Sequence, residues 1–255
     1  YLKFLNVKDA SPFLEGKTII EIGPGDTLTV ALLFLAYGAK RVVCLDRFPL
    51  VQNLRKNSVL AALLQKALPT EQCTNLKEII SFDDSGILEW DAERLIYLSG
   101  SRGSRSSCDE RADFVGSNAA LEHVRALEGM FRAMSRIMRS GGMMVHAVDL
   151  GSHQLARENP LDFLLVPEWL WTLMTSHRGA PNRARKSDYE KLLEENSFEV
   201  AKMEVAERFD PKDVNEVWRK LSALREDYSQ EDLSCRGLLR SAAWSGVNSS
   251  TSTSR

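Results

Sequence analysis

The sequence predicts a doubly wound α/β fold, with a mostly parallel sheet and helices on both faces. Two observations predict it. Buried-strand patterns alternate with helical periodicity along most of the 255 residues, as in chains built from βαβ units. Residues 18–46 also follow the order strand, glycine turn, helix, strand and acid of a nucleotide-binding half-fold. A chain of this length fits one large domain, and we expect that domain to cover residues 1–245.

Apolar patterning predicts the individual elements in order. Continuous or alternating apolar runs predict strands at residues 18–22, 41–45, 79–82, 95–98, 113–117, 143–148, 198–205 and 237–244. Apolar residues at helical spacing predict helices at residues 28–37, 50–68, 127–138, 187–195 and 214–224. We expect residues 140–142 to stop a helix and Ser187 with Glu190 to form a capping box. Small polar residues predict a surface loop at 99–108 and a disordered tail at 246–255.

The composition argues against several classes of protein. The formal net charge is −2, so bulk electrostatics predict no nucleic-acid partner. No apolar run approaches the roughly 18 residues that a membrane-spanning helix needs, so we expect no span. The four cysteines, Cys44, Cys73, Cys108 and Cys235, are far apart and form no CxxC pair. Their spacing argues against a zinc site or a disulfide framework and favours a reducing, cytoplasmic location.

The glycine loop, EIGPGDT at residues 21–27, carries the information about the ligand. Gly23 and Gly25 fit a dinucleotide fingerprint, but Leu28 stands where that fingerprint has its third glycine. A Walker A phosphate loop is absent from the sequence. The carboxylate of Glu21 would repel a pyrophosphate and suits an amino-acid ammonium group. Asp46, at the end of the second strand, can accept hydrogen bonds from both hydroxyls of a ribose.

With Asp46 downstream, the segment EIGPGDT resembles the S-adenosylmethionine site of class I methyltransferases. Residues 112–124, ADFVGSNAALEHV, resemble that family's fourth strand and the segment after it. Residues 136–142, RIMRSGG, resemble its helix end before the fifth strand, with serine where proline is usual. The resemblance implies a Rossmann-like, seven-stranded sheet with an antiparallel last strand. It also implies S-adenosylmethionine as the cofactor and methyl transfer as the activity.

The same resemblance implies roles for individual residues. The positions that match the family's cofactor contacts are Glu21, Gly23, Pro24, Gly25, Asp46, Arg47, Ser117 and Asn118. Glu21 and the glycine turn would hold the methionine part, and Asp46 would bind the ribose, with Arg47 close to the adenosine. Ser117 and Asn118 would lie beside the methionine part or the reacting methyl group. No acid stands where the family usually contacts the adenine amine.

Two histidines are candidate catalytic bases, although each has a structural alternative. His123 lies in LEHV, and His153 follows the fifth predicted strand together with Asp149. Ligands of open α/β sheets bind outside the carboxyl ends of the strands, where an imidazole can accept a substrate's proton. A helix cap or a loop hydrogen bond is the alternative role. These three residues lack further ligands at regular spacing, so we expect no metal.

Residues 150–186 form a predicted substrate-side insert. Trp169 and Trp171 predict an apolar roof over a substrate pocket, with ordinary helix packing as the alternative. Arg178, Arg183 and Arg185 predict a solvated loop or a contact with an anionic substrate group.

The acceptor of the methyl group is expected to be a small molecule. The N-P-P-Y signature of the branches that methylate DNA bases and glutamine is absent, because the chain reads SNAA at residues 117–120. The near-neutral charge also argues against a nucleic-acid substrate. Two alternatives stay open, an NAD-dependent oxidoreductase and a methyltransferase-like binding module without transfer activity.

Overall fold

The computed structural model describes residues 1–100, 111–153, 158–175, 180–222 and 228–244. The strands are Thr18–Ile22 (β1), Arg41–Asp46 (β2), Ile80–Phe82 (β3), Leu88–Trp90 (β4), Leu95–Ser99 (β5), Ala112–Asn118 (β6), Met138–Asp149 (β7), Phe198–Arg208 (β8) and Cys235–Trp244 (β9). The helices are Ala10–Leu14 (α1), Thr29–Ala36 (α2), Leu54–Ala67 (α3), Thr70–Lys77 (α4), Leu127–Ile137 (α5), Glu168–Thr175 (α6), Lys186–Glu195 (α7), Pro211–Ser222 (α8) and Gln230–Ser234 (α9). Single-turn 3-10 helices occupy Leu121–His123 and Asp162–Leu165. None of the described helices is long and apolar enough to cross a membrane.

The main sheet has seven strands in the order β5-β2-β1-β6-β7-β9-β8. β1 pairs in parallel with β2 and β6, and β2 pairs in parallel with β5. The last strand, β9, lies between β7 and β8 and runs antiparallel to β8. The predicted doubly wound α/β fold, with a mostly parallel sheet and an antiparallel last strand, is confirmed.

The first of two compact units comprises Tyr1–Asn118 and Ile137–Met144. Its central strand β1 is buried along its whole length because β2 and β6 flank it. This burial explains why the sequence of β1 is a nearly continuous apolar run. Phe114 of β6 packs edge-on against Phe34 of α2, with ring centroids 6.0 Å apart. The aromatic contact fixes α2, and with it the preceding glycine turn, on the sheet.

The second compact unit comprises Ala119–Arg136 and the described residues of Val145–Arg255. Its apolar core joins the 3-10 helix at Asp162–Leu165 to α6, α8 and α9. Phe163, Trp171, Val217 and Leu233 are among its buried members. The predicted insert at 150–186 therefore supplies part of the core of this unit.

The glycines after α5 have a different role from the predicted one. Residues 140–142 lie within β7, which begins directly after the helix. Gly141 has a φ of +76°, a left-handed conformation that glycine adopts without strain. A Cβ at Gly142 would lie 2.8 Å from the carbonyl oxygen of Arg139 and 3.3 Å from that of Ala112. A close approach of backbones inside the sheet therefore requires this glycine.

The capping of α7 also differs from the predicted Ser187–Glu190 box. Oδ2 of Asp188 accepts a hydrogen bond from the backbone N–H of Arg185 at 2.7 Å. The backbone N–H of Ser187 donates to Oδ1 of Asp232 at 3.0 Å. The N-cap is Arg185, two residues before the predicted Ser187, which moves the capping carboxylate from position 190 to position 188.

Several short elements were not predicted from the sequence, namely α1, α4, α6, α9 and β4. Each spans eight residues or fewer, too few for a distinct apolar period. The strand predicted at 79–82 forms as β3, but it pairs with β4 in a separate antiparallel ribbon. The predicted tail at 246–255, and residues 101–108 of the predicted loop, lie outside the described residues.

Candidate active site

Three parallel strands of the first unit end at one edge of the sheet. The register aligns Ile22 of β1 with Leu45 of β2 and with Ser117 of β6. The glycine turn, Asp46 and Asn118 come next along their strands, so they gather at this carboxyl edge. Ligands of open α/β sheets bind at such an edge.

The turn after β1 is held by its backbone conformation. Gly23 and Gly25 have φ values of +69° and +73°, which strain any residue with a Cβ. The N–H of Gly23 donates to the carbonyl oxygen of Leu45 at 2.8 Å, which joins the turn to β2. Among the described residues, no heavy atom outside the turn lies within 4 Å of the place a Cβ would take at Gly25. This open side of the turn leaves room for a ligand against the main chain.

Glu21 is an acid inside the sheet, with only 5% of its surface exposed. Burial raises the pKa of its carboxyl to about 7, against a weaker lowering effect of the Cys44 hydrogen bond. In that bond the thiol of Cys44 donates to Oε2 at 3.7 Å. A carboxylate with so little water around it is stabilised by a nearby cation, such as an ammonium group.

Asp46 ends β2 and organises the loop after it. Its Oδ1 accepts a hydrogen bond from the N–H of Phe48 at 2.9 Å. Arg47 is exposed, and its guanidinium lies 5.1 Å from the centre of the Phe48 ring. From β5, the hydroxyl of Tyr97 donates to the Phe48 carbonyl oxygen and accepts from the Leu50 N–H, both at 3.1 Å. Tyr97 was not predicted as a site residue, because only the strand register places it beside this loop.

The end of β6 places Ser117 and Asn118 in different surroundings. Ser117 is buried and Asn118 is exposed. The next residue, Ala119, has a φ of +50°, which is rare for a residue with a Cβ. Its N–H donates to the carbonyl oxygen of Ala147 in β7 at 2.9 Å. The chain then enters the 3-10 helix Leu121–His123.

In the second unit, Glu122, His123, Asp149 and His153 come together, and we call them the acid–histidine cluster. The His123 and His153 rings lie 4.9 Å apart between centroids, nearly perpendicular to each other. Nε2 of His153 is 3.6 Å from Oδ2 of Asp149 and 4.0 Å from Oε1 of Glu122. His153 has a φ of +50°, and strained backbone of this kind concentrates at functional sites.

Asn182, from the insert, holds the turn that carries Glu122 and His123. Its side-chain amide donates to the carbonyl oxygens of Leu121 and Val124, each at 2.9 Å. Its backbone N–H donates to the carbonyl oxygen of Glu122. The insert therefore positions the cluster through hydrogen bonds as well as filling the core.

Glu122 is the member of the cluster that was not predicted from the sequence. Its side chain is 1% exposed, and burial, helped by the nearby Asp149, raises the pKa of its carboxyl to about 7. Oε1 accepts a hydrogen bond from the N–H of Asp149 at 3.3 Å. Oε2 is buried and accepts no hydrogen bond from any described residue. A glutamate next to a histidine in LEHV is expected at the surface, and no pattern in the sequence indicates that it is buried.

Replacing Glu122 with glutamine should stabilise the protein relative to the wild type, and the difference should grow as the pH rises. From about pH 4.5 to 7 the folded protein retains a proton that the unfolded chain releases, so wild-type stability falls across this window. Above it the charged carboxylate costs up to about 3 kcal/mol, and a neutral amide avoids this cost. Denaturant unfolding at pH 5 and pH 8 measures the difference between variant and wild type. Glu128→Gln, at an exposed position of α5, serves as the control without a pH trend. An equal difference in the free energy of unfolding at both pH values would contradict the raised pKa of Glu122.

The two tryptophans of the insert have different surroundings. Trp171 is 7% exposed and belongs to the core of the second unit, with its ring 5.7 Å from that of Phe163. Trp169 is 70% exposed on the same helix. Trp171 therefore has the packing role that was the alternative, while the contact of Trp169 with a substrate stays a prediction.

The two tryptophans should respond differently to truncation. Trp171→Ala is expected to lower the free energy of unfolding by about 3–5 kcal/mol, because it empties a packed core position. Trp169→Ala should change it by no more than about 0.5 kcal/mol, because little of that ring is buried. Denaturant unfolding of the two variants gives the comparison. Losses of similar size would show that the helix packs in another orientation.

The arginines of the insert are structural where they are described. Arg185 is fully buried, and its Nη1 donates to the Leu150 carbonyl oxygen at 2.9 Å. Arg183 forms an ion pair with Glu168. Arg178 lies outside the described residues. Arg185 therefore fixes the chain after β7 and is not part of a solvated loop.

The fold and the carboxyl edge together define the class of protein. A seven-stranded sheet in this order, with an acid before a double-glycine turn and an acid after the second strand, is that of a class I S-adenosylmethionine-dependent methyltransferase. The enzyme uses S-adenosylmethionine as its cofactor. The chain belongs to the methyltransferase-domain family, whose sequence profile matches residues 2–203. No curated protein matches the sequence significantly.

Three solved structures with the same fold are described as methyltransferases. A candidate methyltransferase from Bacillus halodurans has a TM-score of 0.51 at 16% identity, over 96% of this chain and 98% of its own. An S-adenosylmethionine-dependent methyltransferase from Mesorhizobium loti has a TM-score of 0.51 at 15% identity, over 95% and 98%. Geranyl diphosphate C-methyltransferase from Streptomyces coelicolor, solved with Mg²⁺, geranyl diphosphate and S-adenosyl-L-homocysteine, has a TM-score of 0.50 at 13% identity, over 95% and 80%. At these identities the likeness shows the fold.

Proposed function

We propose that the enzyme methylates a small molecule at a hydroxyl or amine group. The observation that carries this proposal is the acid–histidine cluster, which offers two imidazoles and two carboxylates for handling the proton of an acceptor. The net charge of −2 gives no basis for a polyanionic substrate. The same fold accommodates a small-molecule acceptor in the geranyl diphosphate enzyme.

The residues at the carboxyl edge fit the cofactor. The buried carboxylate of Glu21 suits the ammonium group of the methionine part, and the open glycine turn, Gly23 to Gly25, leaves main-chain room beside it. Asp46 would accept hydrogen bonds from the ribose hydroxyls, with Arg47 close to the adenosine. Ser117 and Asn118 would lie beside the methionine part or the methyl group. Residues 1–245 would act as one methyltransferase domain.

The chemistry requires alignment and one proton transfer. When bound, S-adenosylmethionine would supply a methyl group activated by its positive sulfur, for transfer to an oxygen or nitrogen of the acceptor. The chain's part would be to hold the acceptor in line with the bond that breaks. His153 accepts the released proton at a ring nitrogen and passes it to water, while Asp149 and Glu122 stabilise the imidazolium. His123 and Trp169 would contact the acceptor.

Isothermal titration and a panel of acceptors test the proposal. We expect heat with S-adenosylhomocysteine and none with NADH, which separates methyl transfer from an oxidoreductase. Turnover of S-adenosylmethionine with phenols, alcohols and amines should exceed turnover with tRNA, DNA or histone peptides. Cofactor binding without turnover on any of these would support the binding module. Faster turnover with a macromolecule would contradict the small-molecule acceptor.

A further inference from the structure

We propose that Glu122, His123 and His153 form a binding site for one divalent transition-metal ion. From sequence, His123, His153 and Asp149 predicted no metal because they lack further ligands at regular spacing. The fold adds Glu122, which brings a buried carboxylate to the two imidazoles. Two histidines and one carboxylate are a ligand set used by catalytic metal centres, which keep a further position open for substrate.

The donor atoms are close enough to share an ion after a small adjustment. One ligand atom from each of the three residues lies within 4.8 Å of the other two. Donors of a tetrahedral zinc ion, bonded at about 2.0–2.2 Å, lie roughly 3.4 Å from one another. The three donor atoms therefore need to approach one another by up to about 1.4 Å. His153, with a side chain 29% exposed, has room to make this movement.

The unsatisfied oxygen of Glu122 is a second, independent observation. Oε2 is buried without a hydrogen bond from the described residues, and a buried oxygen of this kind destabilises the folded state. Asp149 places a second carboxylate in the cluster, with its Oδ2 3.6 Å from Nε2 of His153. A dication between Glu122 and the imidazoles satisfies the oxygen and compensates the charge. An uncharged side chain would fill the same space at lower cost if packing were the only role.

The donor set selects the kind of ion. Imidazole nitrogens suit Zn²⁺, Co²⁺, Ni²⁺ and Fe²⁺, whereas Mg²⁺ and Ca²⁺ prefer sites made of oxygen atoms. Affinity for such a mixed site follows the Irving–Williams order, so Co²⁺ and Zn²⁺ should bind more tightly than Mn²⁺. Asp149, beside His153, adds negative charge to the site.

The effect of a bound ion on methyl transfer rests on the function proposed above. The proposal that the ion binds does not rest on that function. Imidazoles that coordinate an ion cannot also accept a proton. A hydroxyl on the ion's open position would instead lose its proton to solvent water, because coordination lowers its pKa. The ion would thus replace His153 as the group that activates the acceptor. Metal binding is measurable without cofactor or acceptor, so its failure is distinct from failure of methyl transfer.

Equilibrium dialysis of the full chain, free of affinity tag and stripped by a chelator, tests the site. After dialysis against Zn²⁺, elemental analysis should find one ion per wild-type chain. Affinity should fall by about a hundredfold or more in His153→Asn and in Glu122→Gln, since each loses a ligand. Glu128→Gln, an exposed acid on α5, should keep wild-type affinity. A thermal shift of the wild type that grows with Zn²⁺ concentration would accompany binding.

The visible spectrum of the Co²⁺ form identifies the donors. We expect d–d bands without thiolate charge transfer, which excludes capture by the cysteines. An ion-free wild type would overturn the proposal, and so would equal metal content in wild type, His153→Asn and Glu122→Gln. If Glu122→Gln fails to fold, His153→Asn still decides, because His153 is exposed and asparagine tolerates its left-handed backbone.

Discussion

Asp46→Asn is expected to weaken the binding of S-adenosylhomocysteine by about a hundredfold. Hydrogen bonds to a charged acceptor contribute about 1.5–3 kcal/mol each, and the variant loses the charge from two proposed ribose contacts. The turn itself should survive, because the asparagine oxygen can accept the hydrogen bond from the Phe48 N–H, as Oδ1 of Asp46 does at 2.9 Å. Isothermal titration measures the change in affinity.

Asp91→Asn is the matched control for Asp46. Oδ1 of Asp91 also accepts a hydrogen bond from the N–H two residues ahead, that of Glu93 at 2.8 Å. Asp91 directly follows β4, which belongs to the separate two-stranded ribbon. This variant should bind S-adenosylhomocysteine as the wild type does. An unchanged affinity in Asp46→Asn, with both variants folded, would remove the ribose contact from the proposed function.

His153→Asn is expected to lower kcat by about 10²–10⁴-fold with a hydroxyl acceptor, the range that a positioned acid or base contributes. Asparagine cannot carry the proton, but it accepts the left-handed backbone seen at φ +50°. The affinity for S-adenosylhomocysteine should stay within about twofold, because the proposed cofactor contacts do not include His153. Single-turnover kinetics with a saturating acceptor isolate the methyl-transfer step.

The dependence of the methyl-transfer rate on pH and on a chelator distinguishes a general-base role of His153 from a metal-ligand role. A base role predicts a wild-type rate that falls at acid pH, a slope that the variant lacks, and no effect of a chelator. A ligand role predicts that the chelator reduces the wild-type rate to that of the variant. Equal rates of wild type and variant from pH 5 to 9 would exclude both roles.

The fold could be predicted in most of its parts because it depends on local patterns. β1 is buried on both faces, so its apolar run identifies it as a strand without knowledge of its partner strands. The left-handed turn could also be predicted, since Gly23 and Gly25 adopt without strain a conformation that is unfavourable for other residues. The ends of elements were less predictable. The role of Gly142 depends on the carbonyl oxygen of Ala112, and the cap of α7 depends on where the helix starts.

The candidate site was predictable at the carboxyl edge and only partly in the acid–histidine cluster. The residues of the edge lie on adjacent motifs whose order along the chain implies their order in the sheet. Trp169 and Trp171, in contrast, are two positions apart on one short helix, and the packing of that helix decides which ring is buried. Glu122 was missed because burial of an acid depends on contacts with distant residues, here Asp149 and Asn182.

The sequence by itself determined the α/β class, the glycine turn, Asp46 and the resemblance to class I methyltransferases. Each of these depends on residues close together in the chain, through periodicity, backbone conformation or motif spacing. Only the tertiary structure brought Glu122, His123, Asp149 and His153 together, gave Trp171 its place in the core and set Tyr97 beside the loop after Asp46. Strand register and packing decide such contacts, because they join residues that the sequence holds tens of positions apart.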